Sequence, residues 1–366
     1  MIFDDKNKCL QLAEKILAHY QKGLGTDCKL QLLQLSENIT YLVEHTGNAV
    51  EMQNIEPCGT RQKAVLRLSR PGYHTEEELQ AEIMWMMKLQ EDFKVQEEKQ
   101  TVCTCSSQSG VCFCIRQPLA GDDGQYLYTV EDVCGQVYFG TIFTYLSGAP
   151  LEDISLQEQV LWFERLGEVT AMLHRQVQAW QRASGLPRFH WNYETMIGKK
   201  AIWGDWREVF TGEKAVRSGQ GVPEVLNRAD LMIRRKLETY GRTADRYGLI
   251  HGDLRGANLL VEGDSLKIID FDDSGFGWYM QDLAASLSFM ETEEMVTGLI
   301  RAWIAGYRKQ GTLTQADLDM IPAFIMMRRL QLLAWVNSRT NAASSIAYRE
   351  KFEEGTLELA KRYVAS

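Results

Sequence analysis

Apolar and polar residues change rhythm several times along this chain, and the changes mark its elements. From Cys9 to Tyr20, Leu10, Leu12, Ala13, Ile16, Leu17 and Tyr20 recur at the spacing of one helical face. From Lys29 to about Arg70 the period shortens: LQLLQL, ITYLVEH and KAVLRLS, separated by turn residues, predict strands of an antiparallel sheet. Thr75 to Leu89 returns to helical spacing, entered by the Pro71-Gly72 break and an acidic first turn, Glu76, Glu77 and Glu78, that complements the helix dipole. Residues 91–100 are strongly charged and read as a solvated loop. A cysteine-rich hairpin, the short segment IRQPLA and the strand-like QVYFGTIFTYL follow. The last of these ends at Ser147-Gly148-Ala149-Pro150, which reads as a hinge. Beyond it the pattern is mainly helical, over 156–178, 223–247, 282–289, 294–310 and the long region 313–364. The exception is LIHGDLRGANLLVEGDSLKIIDFDD, where the strand-like LLV and LKIID flank a Gly-Asp turn. There is no internal repeat.

These patterns predict an α+β protein: a β-rich portion, residues 1–147, joined to a helical portion, residues 148–366. Clefts between such lobes are favoured places for ligands. At 366 residues and 45% hydrophobic content, both portions are long enough for a core. No run approaches the roughly 18 apolar residues of a membrane span, and the acidic, amphipathic start is unlike a signal peptide. The expectation is a cytoplasmic protein with no membrane partner. A net charge of -9 argues against a nucleic-acid partner and leans towards a cationic substrate. Cys103, Cys105, Cys112 and Cys114 form a C-x-C…C-x-C stretch that four thiolates could turn into a zinc site. Alternation places each pair on one strand face, so free thiols in a reduced compartment are the favoured reading, ahead of zinc and of disulfides.

One constellation carries chemistry. His251-Gly252-Asp253 is followed by Asn258, and Asp270 ends the LKIID run. In-line phosphoryl transfer needs a group that orients a hydroxyl and oxygen ligands for a hard cation, because the covalent work is small. An aspartate near the hydroxyl can orient it and accept its proton, while an Asn carbonyl and a second carboxylate suit Mg²⁺. Each residue alone would pass as a turn former or backbone cap. Together, at this spacing, they point to catalysis.

The segment HGDLRGANLLV…LKIIDFDDSGFG, with FGWYMQDLA after it, resembles the catalytic and metal-binding segment of the aminoglycoside phosphotransferase and choline kinase superfamily. That superfamily has a protein-kinase-like fold, and within it the chain is most similar to bacterial type II homoserine kinases and general phosphotransferases. The resemblance implies a bilobal fold, an antiparallel-sheet N-lobe over a mainly helical C-lobe, and ATP and Mg²⁺ as cofactors. It implies Asp253 as the catalytic aspartate, with Asn258 and Asp270 as metal ligands. His251 would organise the loop and Asp282 would cap the helix it opens. Asp272 and Asp273 would either assist the metal or form a solvated turn.

For nucleotide binding the resemblance implies Arg67, in place of the usual lysine, paired with Glu82, with Lys63 as a fallback. A loop of Ser36, Glu37, Asn38 and Thr40 would cover the phosphates without a Gly-rich pattern. Backbone around Phe143, Tyr145 and Leu146 would read adenine. The aromatic stretch FHWNYETMIGKKAIWGDWR would wall the acceptor site, with Trp191, Trp203 and Trp206 either boxing an ammonium group beside Asp205 or Glu194, or anchoring the insertion to the core. The Glu291, Glu293 and Glu294 cluster, Arg328 and Arg329 read as solvated helix charges, although the two arginines could meet an acidic substrate. The expected activity is transfer of the ATP γ-phosphate to a hydroxyl of a small-molecule acceptor: an amino alcohol such as homoserine, a sugar or an aminoglycoside. A protein Ser/Thr kinase and a catalytically silent nucleotide sensor are the alternatives.

Overall fold

A computed structural model describes residues 5–35, 38–45, 59–94, 105–106, 111–211, 222–338 and 343–365. The chain forms two compact units. The first comprises residues 1–150, 186–188 and 259–272; the second comprises 151–185, 189–258 and 273–366. This division differs from a single cut at residue 147, because the LLV and LKIID strands and Asp270 group with the first unit.

In the first unit the helix Lys6–Leu17 begins at Asp5, whose carboxylate accepts the Asn7 and Lys8 amides at 2.9 and 3.1 Å. Such a cap satisfies donors that the first helical turn leaves open. Its buried face, Cys9, Leu12, Ala13 and Ile16, packs with Ile39, Val43, Ala64, Leu66 and Ile142 from the strands. Those strands are β1 (Cys28–Leu35), β2 (Ile39–His45), β3 (Gly59–Leu68), β6 (Tyr128–Glu131) and β7 (Val137–Leu146), in an antiparallel sheet ordered β1-β2-β3-β7-β6. The helix Glu76–Lys94 starts at a reciprocal cap, Thr75 Oγ1 accepting the Glu78 amide while the Glu78 carboxylate accepts the Thr75 amide. It carries 91–94 of the stretch expected to be a loop; 95–100 lie outside the described residues.

A second sheet of the same unit runs β4 (Cys105–Ser106), β5 (Val111–Ile115), β11 (Ser265–Ile268), β10 (Leu259–Glu262) and β8 (Ala149–Pro150). The cysteine hairpin is formed, with Cys105 opposite Cys112. Cys103 lies outside the described residues. Cys114 is disulfide-bonded, which corrects the expectation of reduced thiols there.

The second unit is helical apart from the two-stranded pair β9 (Tyr247–Ile250) and β12 (Gly275–Trp278). Its helices Leu156–Ala179 and Val296–Gln310 meet backbone to backbone at glycines. A Cβ on Gly306 would stand 1.8 Å from the Glu164 carbonyl oxygen, and one on Gly167 2.0 Å from that of Trp303. The expected 313–364 helical region is two helices, Gln315–Ser338 and Ala343–Ala365. Strands β6, β8, β9 and β12 escaped the hydrophobic pattern because they are short and flanked by loop residues. No helix among the described residues is long and apolar enough to cross a membrane.

Candidate active site

The chemistry-bearing residues fall in both units. In the second, β9 ends at Ile250 and the chain turns through His251-Gly252-Asp253. Gly252 has φ +80°, and a Cβ there would lie 2.6 Å from the Asp273 carbonyl oxygen and 2.9 Å from Trp191 Nε1. Only glycine combines that backbone with that space. Asp282 holds the turn, accepting the His251 amide at 3.2 Å, the Gly252 amide at 2.8 Å and His174 Nε2 at 3.0 Å. The expectation that Asp282 caps its own helix is corrected: the helix runs Met280–Ser286, and the carboxylate ties down the His251-Gly252-Asp253 turn instead. His251 is buried, and its Nδ1 accepts the Asp253 amide at 3.3 Å, an organising role.

The Asp253 side chain is buried among donors. Arg328 Nη2 and Arg255 Nε reach its two oxygens, and Asn258 Nδ2 donates to both its backbone oxygen at 2.9 Å and its Oδ2 at 2.8 Å. Burial pushes the Asp253 pKa up, but Arg328, Arg255 and His251 outweigh it and hold the carboxyl below its ordinary range. With its amide turned onto Asp253, Asn258 keeps its carbonyl oxygen off that carboxylate, the orientation a hard cation requires.

In the first unit, β3 carries Arg67 and the helix Glu76–Lys94 carries Glu82. The two form a bidentate pair, at 2.8 and 2.7 Å, with both side chains buried. Lys63 pairs instead with Glu44 at 2.9 Å on a half-exposed edge, away from Glu82. Asp272 is the second partner of Arg67, at 3.4 Å, and also meets His74 at 3.5 Å and Asn38 Nδ2 at 2.9 Å. The solvated-turn reading of Asp272 and Asp273 is therefore wrong, since both are buried. Burial opposes ionisation of Asp272, but His74 and Arg67 hold its pKa far below the carboxylate range. His74 goes the other way: burial lowers it, while Asp272 and Glu78 raise it to about 9. Asp270, by contrast, is exposed and has φ +65°, a strained backbone that marks functional positions in a non-glycine residue.

Asn38 belongs to this cluster; Ser36 and Glu37 lie outside the described residues. Phe143 and Thr144 are flanked on one side by β3 and on the other by residues 117–119, and the Thr144 amide donates to the Gln117 carbonyl. These two are held inside a sheet. The Phe143 ring instead lies under Arg67, 5.0 Å from its guanidinium carbon.

Several residues were invisible to sequence reasoning. Arg188 donates to the backbone oxygens of Glu78 and Asp272. Arg116, half-buried after β5, leaves Nε without a hydrogen-bond partner. Burial brings its pKa down to about 10, with Arg67 adding to the fall and Asp270 opposing it. Nothing in IRQPLA marks that arginine. Among the aromatics, Trp191, Trp203 and Trp206 are all buried, with Trp191 Nε1 donating to the Asp273 carbonyl. Their burial accords with the reading in which they anchor the insertion to the core. Asp205 is paired with Arg207 at 3.0 Å, and Glu194 is exposed.

Residues 58–312 match the model of the family described as APH, phosphotransferase enzyme family. Amicoumacin kinase of Bacillus subtilis is 23% identical over 233 residues, covering 59% of this chain and 62% of that protein. Hydroxylysine kinase of Danio rerio is 26% identical over 231 residues, 57% of this chain and 59% of its own length. The match therefore spans about three-fifths of these curated relatives. Among solved structures, a microcompartment-associated aminopropanol kinase superposes with a TM-score of 0.77 at 34% identity, covering 97% of this chain and 98% of that one. An amicoumacin kinase solved with AMP-PNP and Ca²⁺ has a TM-score of 0.64 at 19% identity, over 95% and 93% of the two chains. The α+β fold is that of the protein-kinase-like phosphotransferases.

Proposed function

We propose, from the premise that this chain belongs to the phosphotransferase enzyme family, that it is an ATP- and Mg²⁺-dependent kinase acting on the hydroxyl of a small amino alcohol. The observation that carries the reading is the buried, unprotonated Asp253 gripped by Asn258 and Arg328. A carboxylate held below its ordinary pKa is a weak base. Phosphoryl transfer through a loose transition state asks more for a fixed, negatively charged acceptor of the hydroxyl hydrogen than for a strong base. In this reading Asp253 orients the acceptor hydroxyl and takes its proton as the new oxygen–phosphorus bond forms and the bond from the γ-phosphorus to the departing ADP oxygen breaks. Arg67, aligned by Glu82 and Asp272, neutralises the nucleotide phosphates. Asn258 and Asp270 would supply oxygen ligands for Mg²⁺, which would offset the charge on the phosphates.

The amino alcohol class is favoured because aminopropanol and hydroxylysine kinases, whose names specify such acceptors, are among the similar proteins. The use of ATP with a divalent ion draws on the amicoumacin kinase of this fold solved with AMP-PNP and Ca²⁺. The test is magnesium-dependent ATP turnover against aminopropanol, ethanolamine, hydroxylysine, homoserine, a hexose and an aminoglycoside, with Asp253→Ala as control. Turnover stimulated by an amino alcohol and lost in the variant is expected. Turnover on sugars alone would sink the substrate class, and undiminished activity of Asp253→Ala would sink the mechanism.

A further inference from the structure

The helix Gln315–Ser338 is apolar nearly all round and buried over most of its length, yet it carries two adjacent arginines, both buried. The expectation that Arg328 and Arg329 are solvated charges is wrong, and the two are used differently. Arg329 has a dedicated structural partner, Glu291, at 2.7 Å. Its other nitrogens donate to Thr356 Oγ1 and the Phe352 carbonyl, each at 2.9 Å. Arg328 donates through Nε to Ser288 Oγ at 3.0 Å and through Nη1 to Gln331 Oε1 at 3.1 Å, and its guanidinium lies 4.8 Å from the Trp203 ring centroid. Among the described residues its only carboxylate is Asp253. A buried cation without a carboxylate of its own costs several kcal/mol, so helix packing alone gives no reason for Arg328 to be charged. It also lines a cavity with Trp191, Ile250, Gly252, Phe324 and Gln331.

We propose that Arg328 is a positioning residue: backed by Ser288, Gln331 and Trp203, its fork fixes one Asp253 oxygen so that the carboxylate meets the acceptor hydroxyl in one orientation. This rests on the assignment of Asp253 as the catalytic aspartate.

The experiment compares wild type with Arg328→Gln and Arg328→Lys in steady-state kinetics, with Asp253→Asn as control. In Arg328→Gln, kcat falls roughly 10- to 100-fold with the KM values for ATP and acceptor unchanged. Arg328→Lys recovers part of the lost kcat but not all of it, because an ammonium cannot grip Asp253, Ser288 and Gln331 together. If Arg328→Gln does not fold, the lysine variant decides: wild-type kcat there overturns the proposal. An unchanged kcat in a folded Arg328→Gln does the same, while leaving the kinase reading intact. Full activity in Asp253→Asn overturns the kinase reading and this proposal with it.

Discussion

Two buried aspartates, one in each unit, use the same electrostatic device to different ends. Asp272 and Asp253 are 4% and 7% exposed, and both are held below the ordinary carboxylate range by buried cationic partners, His74 and Arg67 for the first and Arg328 for the second. Around Asp272 the partners are shared: Arg67 also grips Glu82, His74 also meets Glu78, and Asn38 also accepts the Arg70 amide. Around Asp253, Arg328 has no other carboxylate among the described residues. A shared network makes a rigid scaffold that aims Arg67. An unshared pair makes a single oriented group whose removal leaves its cation alone.

The comparison breaks most sharply at Arg67. Arg67→Ala leaves Glu82 and Asp272 buried without their common cation, and should cost about 3–5 kcal/mol in chemical denaturation. Arg67→Lys keeps a charge but loses the fork, so an intermediate loss is expected. A cost below 1 kcal/mol for the alanine variant would show that the network is not the scaffold described.

Gly252→Ala sharpens the other side. With φ +80° and a carbonyl 2.6 Å from the new Cβ, the turn must shift, and Asp253 with it. A misplacement of this kind costs on the order of 10²-fold in kcat, with nucleotide affinity measured by calorimetry left near wild type. Equal loss of both would mean that the turn does more than aim Asp253.

The next effect is a pH dependence of stability. His74 titrates at about 9 when folded, against 6.5 as its ordinary value. A histidine with the higher folded pKa stabilises fully below about 6.5, and that contribution is lost as pH rises towards 9. The depressed Asp272 pKa acts only in strong acid and does not overlap this window. Stability should fall by roughly 1–3 kcal/mol between pH 6.5 and 9, and His74→Gln should flatten that decline. A decline of equal size in His74→Gln would assign it to another group.

What sequence could read follows from how far apart the partners lie. Asp253 and Asn258 are five residues apart, and Arg67 and Glu82 fifteen, within one strand-to-helix unit, so both pairs were legible. Asn38 meets Asp272 across 234 residues, Arg188 reaches Asp272 across 84 and Arg328 reaches Asp253 across 75. No local pattern records such meetings, which is why Asp272 stood open between a metal role and a solvated turn, and why Arg328 read as a solvated helix charge. The strands missed were those of four residues or fewer, too short to display alternation. The first sheet was visible because its strands are long and one face is apolar.

The smallest effect tests whether position on a strand is enough. Lys63 and Arg67 share one face of β3, and by alternation alone either could serve a phosphate. Their surroundings differ: Lys63 and its partner Glu44 have side chains 39% and 37% exposed, whereas those of Arg67 and Glu82 are 7% and 0% exposed. An exposed pair is screened by water and gives up side-chain entropy to hold its geometry, so it adds little. Lys63→Ala should therefore leave the melting temperature and the KM for ATP unchanged, where Arg67→Ala alters both. A rise in the KM for ATP in Lys63→Ala, without loss of stability, would move the phosphate role to the strand's exposed end and leave the Arg67 network as scaffold alone.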